Sequence, residues 1–488
     1  MAGGRTFVIV GASLAGARAA ATLREEGFDG RIVLVGEESE RPYVRPPLSK
    51  GYLAGRTERT KIYVHDEGFY GEHDIEMRTS THVEQIDRDA GEIVLAGGES
   101  LAYDSLLLTT GAMPRALPVP GADLEGVLLL RRVADSDAIR ARIEQGGRIV
   151  IVGGGWIGAE VAATARSAGC DVAMVYPTTA PLEHVLGPEV ARAFADLHTS
   201  HGVELFPEAK VTSLEGDGAV ARVLLEDGRT LAADAVIAGI GVAPRVELAE
   251  QAGLAVDNGI EVDARLRTSD ENVFAAGDVA SVDHPFFGRR IRVEHWAVAR
   301  EQGPFAAKSM LGSDDEYDSL PYFFTDQYDA SLEYWGLAQK WDEVVLRRDP
   351  SGSFLAFWLA DGRVLAGAGF NSPGVGDAIQ ALIRSRDEVD TRALADPDTP
   401  LPGTEEAPVD LAPGEGVVQE RGEDSIAVAK DAAGAVHSVS AVCTHLGCIV
   451  HWNADETTWD CHCHGSRFTI EGELVEGPAK EPLAPKSL

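Results

Sequence analysis

Two stretches of this chain share one pattern: an apolar run rich in Val and Ile, a glycine-rich turn, and a helix-forming segment. The first reads Thr6-Phe7-Val8-Ile9-Val10, then Gly11-Ala12-Ser13-Leu14-Ala15-Gly16, then an alanine-rich segment to about Gly27, with a second apolar run at Arg31 to Val35. The other reads Arg148-Ile149-Val150-Ile151-Val152, then Gly153-Gly154-Gly155-Trp156-Ile157-Gly158, a helix to about Ala168 and a strand near Asp171 to Val175. Unbroken runs of β-branched residues suit strands buried on both faces of a parallel sheet. The glycines let the backbone turn sharply and let a pyrophosphate approach the helix N-terminus, where unpaired N–H groups favour anions. A single turn of this kind is weak evidence, because tight packing of a helix on a strand uses the same residues. Two in strand–turn–helix context point to two dinucleotide sites.

The two turns differ. Ser13 takes the place of the first unit's middle glycine, and Glu37, 21 residues after Gly16, stands where a carboxylate bonds an adenosine ribose. In the second unit Tyr176 follows the strand, with no carboxylate at that point. Neither Arg nor Lys occurs from Tyr176 to Ala191, and Arg192 is the first cation of that kind. A 2′-phosphate would find no close partner there, so NADH is expected in preference to NADPH.

At 488 residues the chain is too long for one hydrophobic core. Its formal net charge of -35 sets it against nucleic acid and anionic membranes as partners. No apolar run approaches the roughly 20 residues needed to span a bilayer. Phe7 to Ala21 is mostly apolar, but it holds a glycine turn and Arg18 and runs straight into Arg24-Glu25-Glu26. It reads as folded structure and not as an export signal, which implies a cytoplasmic protein.

Of five cysteines, Cys170 stands alone while Cys443, Cys448, Cys461 and Cys463 fall within 21 residues, the spacing of a metal site or a disulfide cluster. Cys443-x-His445 and Cys461-x-x-His464 supply two thiolates and two imidazoles. That set suits a Rieske 2Fe–2S centre, with two thiolates on one iron and two imidazoles on the other, and it also suits a Cys2His2 zinc site.

These features divide the chain as follows. A first dinucleotide-binding domain covers 1–115 and 244–318, and a second covers 116–243. A small α+β domain follows at 319–398, a Pro-, Gly- and acid-rich linker at 399–412, and a small all-β domain at 413–488. The expected fold class is thus an α/β protein with two dinucleotide-binding domains, a small α+β domain and a terminal β domain.

Several further motifs resemble the ferredoxin reductase family, which includes the putidaredoxin, rubredoxin and aromatic-dioxygenase types, over about residues 5 to 400. They are Arg45-Pro46-Pro47-Leu48-Ser49-Lys50, Thr109-Thr110-Gly111-Ala112, Gly153 to Glu160, Gly239-Ile240-Gly241-Val242-Ala243-Pro244, Ala276-Gly277-Asp278 and Glu294-His295-Trp296. The resemblance implies FAD at the first site and a nicotinamide dinucleotide at the second. It implies that Lys50 sits beside the flavin ring and that Arg45, Val83 and Arg131 line FAD. Asp278 would accept from a ribityl hydroxyl, Trp296 would lie against the isoalloxazine, and Glu160 would meet the nicotinamide amide. Gly241 belongs to the second nucleotide's set.

The strings Cys443-Thr444-His445-Leu446-Gly447-Cys448 and Cys461-His462-Cys463-His464-Gly465-Ser466 look like the two loops of a Rieske protein, with Gly477-Pro478-Ala479 resembling its closing segment. This favours 2Fe–2S over zinc. By the same resemblance Cys448 and Cys463 form a disulfide, Ser466 can donate to a cluster sulfur, and Phe468 stands where high-potential relatives have Tyr.

A cysteine pair beside the flavin, which disulfide reductases need, is missing, since Cys170 is the only cysteine before residue 443. Electrons must leave the flavin directly. The reading is an NAD(P)H-dependent FAD oxidoreductase of the ferredoxin–NAD(+) reductase type. Its acceptor would be the fused cluster, a separate ferredoxin, a cytochrome or an oxygenase component, and a homodimer is one assembly the reading allows. The alternatives are an NADH-binding redox sensor similar to apoptosis-inducing factor, and an NADH oxidase. Only 24 residues follow His464 and none is histidine, which leaves no mononuclear iron site of the kind oxygenases carry.

Overall fold

The structure is a computed structural model that describes residues 4–401, 411–421, 424–445, 447–454, 456–461 and 465–486. The chain resolves into two compact units. One runs to Val344 and takes in Ala356–Ala360 and Leu365–Ala368. The other holds Val345–Leu355, Asp361–Val364 and the described residues from Gly369 onward.

The first unit contains two five-stranded parallel sheets built on one plan. In the first, Thr6–Val10 is central, with Arg31–Val35 and then Ile75–Arg78 on one side, and Ser105–Leu108 and then Val273–Ala275 on the other. In the second, Arg148–Val152 is central, flanked by Asp171–Val175 and Glu204–Phe206 on one side, and by Ala235–Ala238 and Val127–Leu128 on the other. Phe7 to Val10 and Ile149 to Val152 are all buried, as strands covered on both faces must be. The helices after the two turns are Leu14–Glu25 and Trp156–Ser167. Each half also carries a three-stranded antiparallel meander. The chain leaves the first half and returns to it along a paired crossing, Ala112–Pro114 against Val242–Pro244.

Two further elements of this unit shape the site. Helix Trp296–Leu311 packs so closely on Leu14–Glu25 that a Cβ at Gly303 would lie 2.3 Å from the Ala15 carbonyl oxygen. The hairpin Tyr322–Gln327 with Ala330–Gly336 alternates faces, burying Phe323, Thr325 and Gln327 on one side.

In the second unit, helix Gly376–Ser385 buries Ala378, Ile379, Leu382 and Ile383 along one stripe. A second short helix, Thr391–Ala395, is capped by the Asp390 carboxylate, which accepts from the Arg392 N–H at 2.9 Å. From Gly416 the described residues form strands only. Gly416–Arg421, Asp424–Lys430 and Val436–Ser440 make one antiparallel sheet. His451–Asn453, Thr458–Cys461, Ser466–Thr469 and Leu474–Glu476 make another. Asp431 builds the turn before the third strand by accepting from the N–H groups of Ala433 and Ala435 at 2.9 and 2.8 Å. The core here is Val439, Val450, Trp459, Phe468 and Leu483, with Cys443 and Cys461 among them.

Candidate functional site

A cavity of about 280 Å³ opens at the carboxyl ends of the first sheet, where Thr6–Val10 and Ser105–Leu108 diverge to helices and turns on either side. Ligands of open α/β sheets bind at this switch point. Its wall runs from Gly11–Ala15 and Gly36–Glu38, through Arg45, Ser49, Lys50, Arg131 and Asp278, to His295, Trp296 and Phe324.

The first turn is glycine-dependent for a measurable reason. Gly11 has φ +121°, and a Cβ there would lie 2.2 Å from the Thr109 carbonyl oxygen; one at Gly16 would lie 2.1 Å from the Gly11 carbonyl oxygen. Gly16 therefore seats the helix and does not itself line the cavity. Ser13 caps Leu14–Glu25 without a side-chain bond, and that helix has no acid in its first turn, which leaves an N-terminus suited to a phosphate. Glu37 accepts from Arg245 at 2.7 Å and from Arg132. Burial opposes its ionisation, but the hydrogen bonds and charges of these two arginines outweigh burial and hold its carboxyl below the usual range. Arg131 pairs with Asp278 at 2.9 Å and Arg45 with Glu38 at 3.1 Å. Val83 differs from the other expected FAD residues: its side chain is buried in the core cluster of the first half, away from the cavity wall.

The second turn contributes to the same cavity through Trp156, Ile157 and Glu160. Gly153 has φ +115° and a Cβ there would meet the Gly239 carbonyl oxygen at 2.3 Å, whereas a Cβ at Gly155 would find nothing closer than 3.9 Å. The middle glycine thus leaves open approach to the helix N-terminus, and the outer ones pack. Gly158 is the third of these, with its Cβ position 2.5 Å from the Gly153 carbonyl oxygen, and Gly241 turns with φ +94°.

Glu160 is 5% exposed and carries three polar contacts. Lys50 Nζ lies 2.8 Å from its Oε1, Thr325 Oγ1 donates to the same oxygen at 2.7 Å, and Ser49 Oγ donates to Oε2 at 2.5 Å. A sequence of bonds continues behind Thr325. Gln327 Nε2 donates to Thr325 Oγ1 at 3.3 Å, His198 Nε2 meets Gln327 Oε1 at 2.9 Å, and His198 Nδ1 meets the Tyr328 hydroxyl at 3.2 Å. Burial pushes His198 down to about 4, so the ring is neutral at pH 7. The one tautomer that satisfies both contacts has Nε2–H donating to Gln327 and Nδ1 accepting from Tyr328. Every donor in the array then points toward Glu160. Sequence reasoning missed Thr325, Gln327 and His198; the available signal was polar residues two apart on a strand between aromatic ones.

Trp296 opens its helix with no acid in the first turn, and Arg300 lies over its ring at 4.6 Å. His295 precedes it in the cavity wall. One ring nitrogen engages the Tyr322 backbone, burial holds the ring neutral with its pKa at about 4, and among the described residues the buried Nδ1 has no hydrogen-bond partner. An acceptor without a donor, two acid-free helix N-termini and a carboxylate beyond the first turn fit a dinucleotide with a polar ring system such as FAD.

In the C-terminal β domain Cys443 and Cys461 are 1% and 2% exposed. Gly447 N–H donates to the Cys443 carbonyl at 2.9 Å and Gly465 N–H to that of Cys461 at 2.8 Å. Cys448 is disulfide-bonded. Cys463 and His464 lie outside the described residues. Ser466 is buried and its Oγ accepts from the Ala479 N–H at 3.1 Å, which leaves its own proton for another acceptor. Two buried cysteines, with His445 two residues after the first, suit a 2Fe–2S group.

The fold and this cavity define a flavin- and nicotinamide-dependent oxidoreductase. The chain belongs to the pyridine nucleotide-disulphide oxidoreductase family, which it matches over residues 5–303; residues 322–404 match the reductase C-terminal domain and 405–486 the Rieske [2Fe-2S] domain. It is 41% identical over 398 residues to the anthranilate 1,2-dioxygenase system ferredoxin–NAD(+) reductase component of Burkholderia cepacia, covering 80% of this chain and 97% of that one. It is 37% identical to putidaredoxin reductase CamA of Pseudomonas putida, covering 81% and 95%. The ferredoxin reductase for the CYP199A2 system of Rhodopseudomonas palustris superposes with a TM-score of 0.79 at 35% identity, over 81% of this chain and 98% of that one. The expected fold, the FAD, NAD(P)H and 2Fe–2S cofactors and the oxidoreductase activity therefore hold. Disulfide chemistry at the flavin does not follow from the family name, because Cys170, the one cysteine before residue 443, is 1% exposed and directed at the Ile143 carbonyl at 3.5 Å. Among the described residues no helix is long and apolar enough to cross a membrane.

Proposed function

We propose that the chain takes a hydride from NADH at the cavity and passes single electrons to an iron–sulfur acceptor, with its own Rieske domain as acceptor or relay. The observation that carries this reading is the shared cavity: Lys50 and the Gly11 turn line it from one dinucleotide unit, Glu160 and Ile157 from the other. Bound FAD supplies hydride acceptance and its conversion to one-electron steps.

The chain's own residues do the rest. Gly11, Ser13 and the helix N-terminus behind them receive the pyrophosphate, Glu37 the ribose, and Arg45, Arg131 and Asp278 the remaining polar groups. Lys50, held by Glu160, places its positive charge where negative charge accumulates on reduction. Glu160, fixed as an acceptor by Ser49 and Thr325, orients the nicotinamide amide delivered by the Gly153–Gly158 turn and Gly241. Trp296 excludes water from the ring face. Cys443, His445, Cys461 and His464 hold the cluster, and a Cys448–Cys463 bridge ties their loops.

A ferredoxin, cytochrome or oxygenase component is the external acceptor class, in a cytoplasmic setting and with a homodimer as one assembly. Tethering by the 399–412 linker would raise the local concentration of the Rieske domain to about the millimolar range. No observation favours the sensor reading. The test is an anaerobic reductive titration with flavin, iron and zinc analysis. FAD takes two electrons, the cluster one, and each NADH gives two, so the end point falls at about 1.5 NADH per chain. Zinc in place of iron, or an end point at one NADH with the cluster still oxidised, would refute it.

A further inference from the structure

We propose that Glu183 is the residue that selects NADH against NADPH at the second dinucleotide site. The proposal rests on reading Gly153–Gly158 as the turn of that site. In the first unit the ribose carboxylate, Glu37, stands two residues beyond its strand, Arg31–Val35. The matching place after Asp171–Val175 is Pro177, and Tyr176 before it is 1% exposed, so the strand end offers neither a carboxylate nor a cation.

The fold supplies the carboxylate from elsewhere. Glu183 opens the helix Glu183–Ser200 and turns back onto the loop that follows the strand. Its Oε2 accepts from the Thr179 N–H at 2.8 Å, the Thr179 hydroxyl at 2.6 Å and the Ala180 N–H at 3.0 Å. That loop lies on the glycine turn itself. Leu182, left-handed at φ +66°, donates its N–H to the Gly154 carbonyl at 2.7 Å, and a Cβ at Gly154 would touch the Pro181 Cα at 3.3 Å. From the other side Glu208 N–H donates to the Thr178 carbonyl at 2.9 Å. The carboxylate is therefore anchored beside the turn, at the edge where an adenosine 2′ substituent arrives.

Among the described residues, all three bonds to this carboxylate fall on Oε2, and Oε1 remains for a ribose hydroxyl. The Thr179 hydrogen bond is the largest of the effects that hold its pKa below the usual range, so the group is an anion at pH 7. A 2′-hydroxyl can donate to it; a 2′-phosphate would bring like charge against it. Arg229, over the Phe206 ring at the end of the neighbouring strand, is paired with Asp227 at 2.5 Å and so is not an uncommitted counter-charge.

E183Q removes the charge and keeps an amide oxygen for the Thr179 and Ala180 N–H groups. Affinities of the holoprotein for 2′,5′-ADP and 5′-ADP are measured by competition, together with kcat/KM for NADPH and NADH. E183Q is expected to bind 2′,5′-ADP on the order of tenfold more tightly, with 5′-ADP changing by less than about threefold, and to raise relative kcat/KM for NADPH in step. T179A, which removes one bond and keeps the charge, is expected to leave the ratio of the two affinities unchanged; a role limited to bracing the loop would move that ratio in both variants. Wild-type preference for NADH with no change of ratio in E183Q overturns the assignment of Glu183 alone. Wild-type preference for NADPH, or no binding of either nucleotide, overturns the reading of the site and this proposal with it.

Discussion

Glu160, proposed to orient the nicotinamide, is buried, bonded by two hydroxyls and paired with Lys50. E160Q replaces an acceptor that all three neighbours require with a group that also carries N–H donors. It is expected to slow flavin reduction by NADH roughly tenfold to a hundredfold in single-turnover stopped flow, with flavin content unchanged. A rate within about twofold of wild type would remove Glu160 from the positioning set. His198 makes a second prediction. Its folded pKa of about 4 is depressed below the ordinary 6.5, chiefly by burial. Between those values the unfolded chain binds the proton and the folded one does not. Stability is therefore full above about pH 6.5 and is lost as pH falls toward 4, by up to about 3 kcal/mol from this group. Ring NMR should find His198 neutral at pH 5, and a ring that titrates near 6.5 would contradict the buried array. Phe468 gives a third. It is fully buried and offers no hydroxyl, while Ser466 keeps a proton to donate, so the cluster potential should fall inside the roughly −150 to +300 mV Rieske range but below its top. Redox titration of wild type and F468Y checks this, with the variant expected to be higher.

Among the elements, the clearest test lies where two helices touch. The Gly303 Cβ position is 2.3 Å from the Ala15 carbonyl oxygen, against backbone that cannot swing aside. G303A should separate Trp296–Leu311 from Leu14–Glu25, cost about 1–3 kcal/mol by overpacking, and yield protein depleted of flavin. The ratio of flavin to protein absorbance in purified material reads the outcome. Legibility from sequence varied by element for physical reasons. The strands Arg31–Val35 and Asp171–Val175 were readable because burial on both faces leaves an unbroken apolar run. Helix Glu183–Ser200 was not, since Gly187 at φ +72° followed by Pro188 looks like a break and in fact marks a kink. With that helix hidden, Glu183 could not be seen beside the strand end it serves. Thr325 and Gln327 were equally hidden: polar residues on the buried face of a strand contradict the usual alternation, and such conflicts concentrate at functional sites. Of the residues expected at FAD, Arg45, Lys50, Asp278 and Trp296 sit in local motifs and line the cavity, whereas the Val83 side chain lies in the core cluster.

For the whole molecule, the account requires separable modules joined in one direction of electron flow. C461S should lose the iron–sulfur absorbance while flavin binding and the rate of flavin reduction by NADH stay as in wild type. The most direct test is anaerobic stopped-flow mixing of the intact holoprotein with NADH, following flavin bleaching near about 450 nm alongside the cluster bands. The account predicts that the flavin bleaches first and that cluster reduction follows with a lag set by that step. Cluster reduction that precedes flavin bleaching, or that proceeds in protein stripped of FAD, would contradict it.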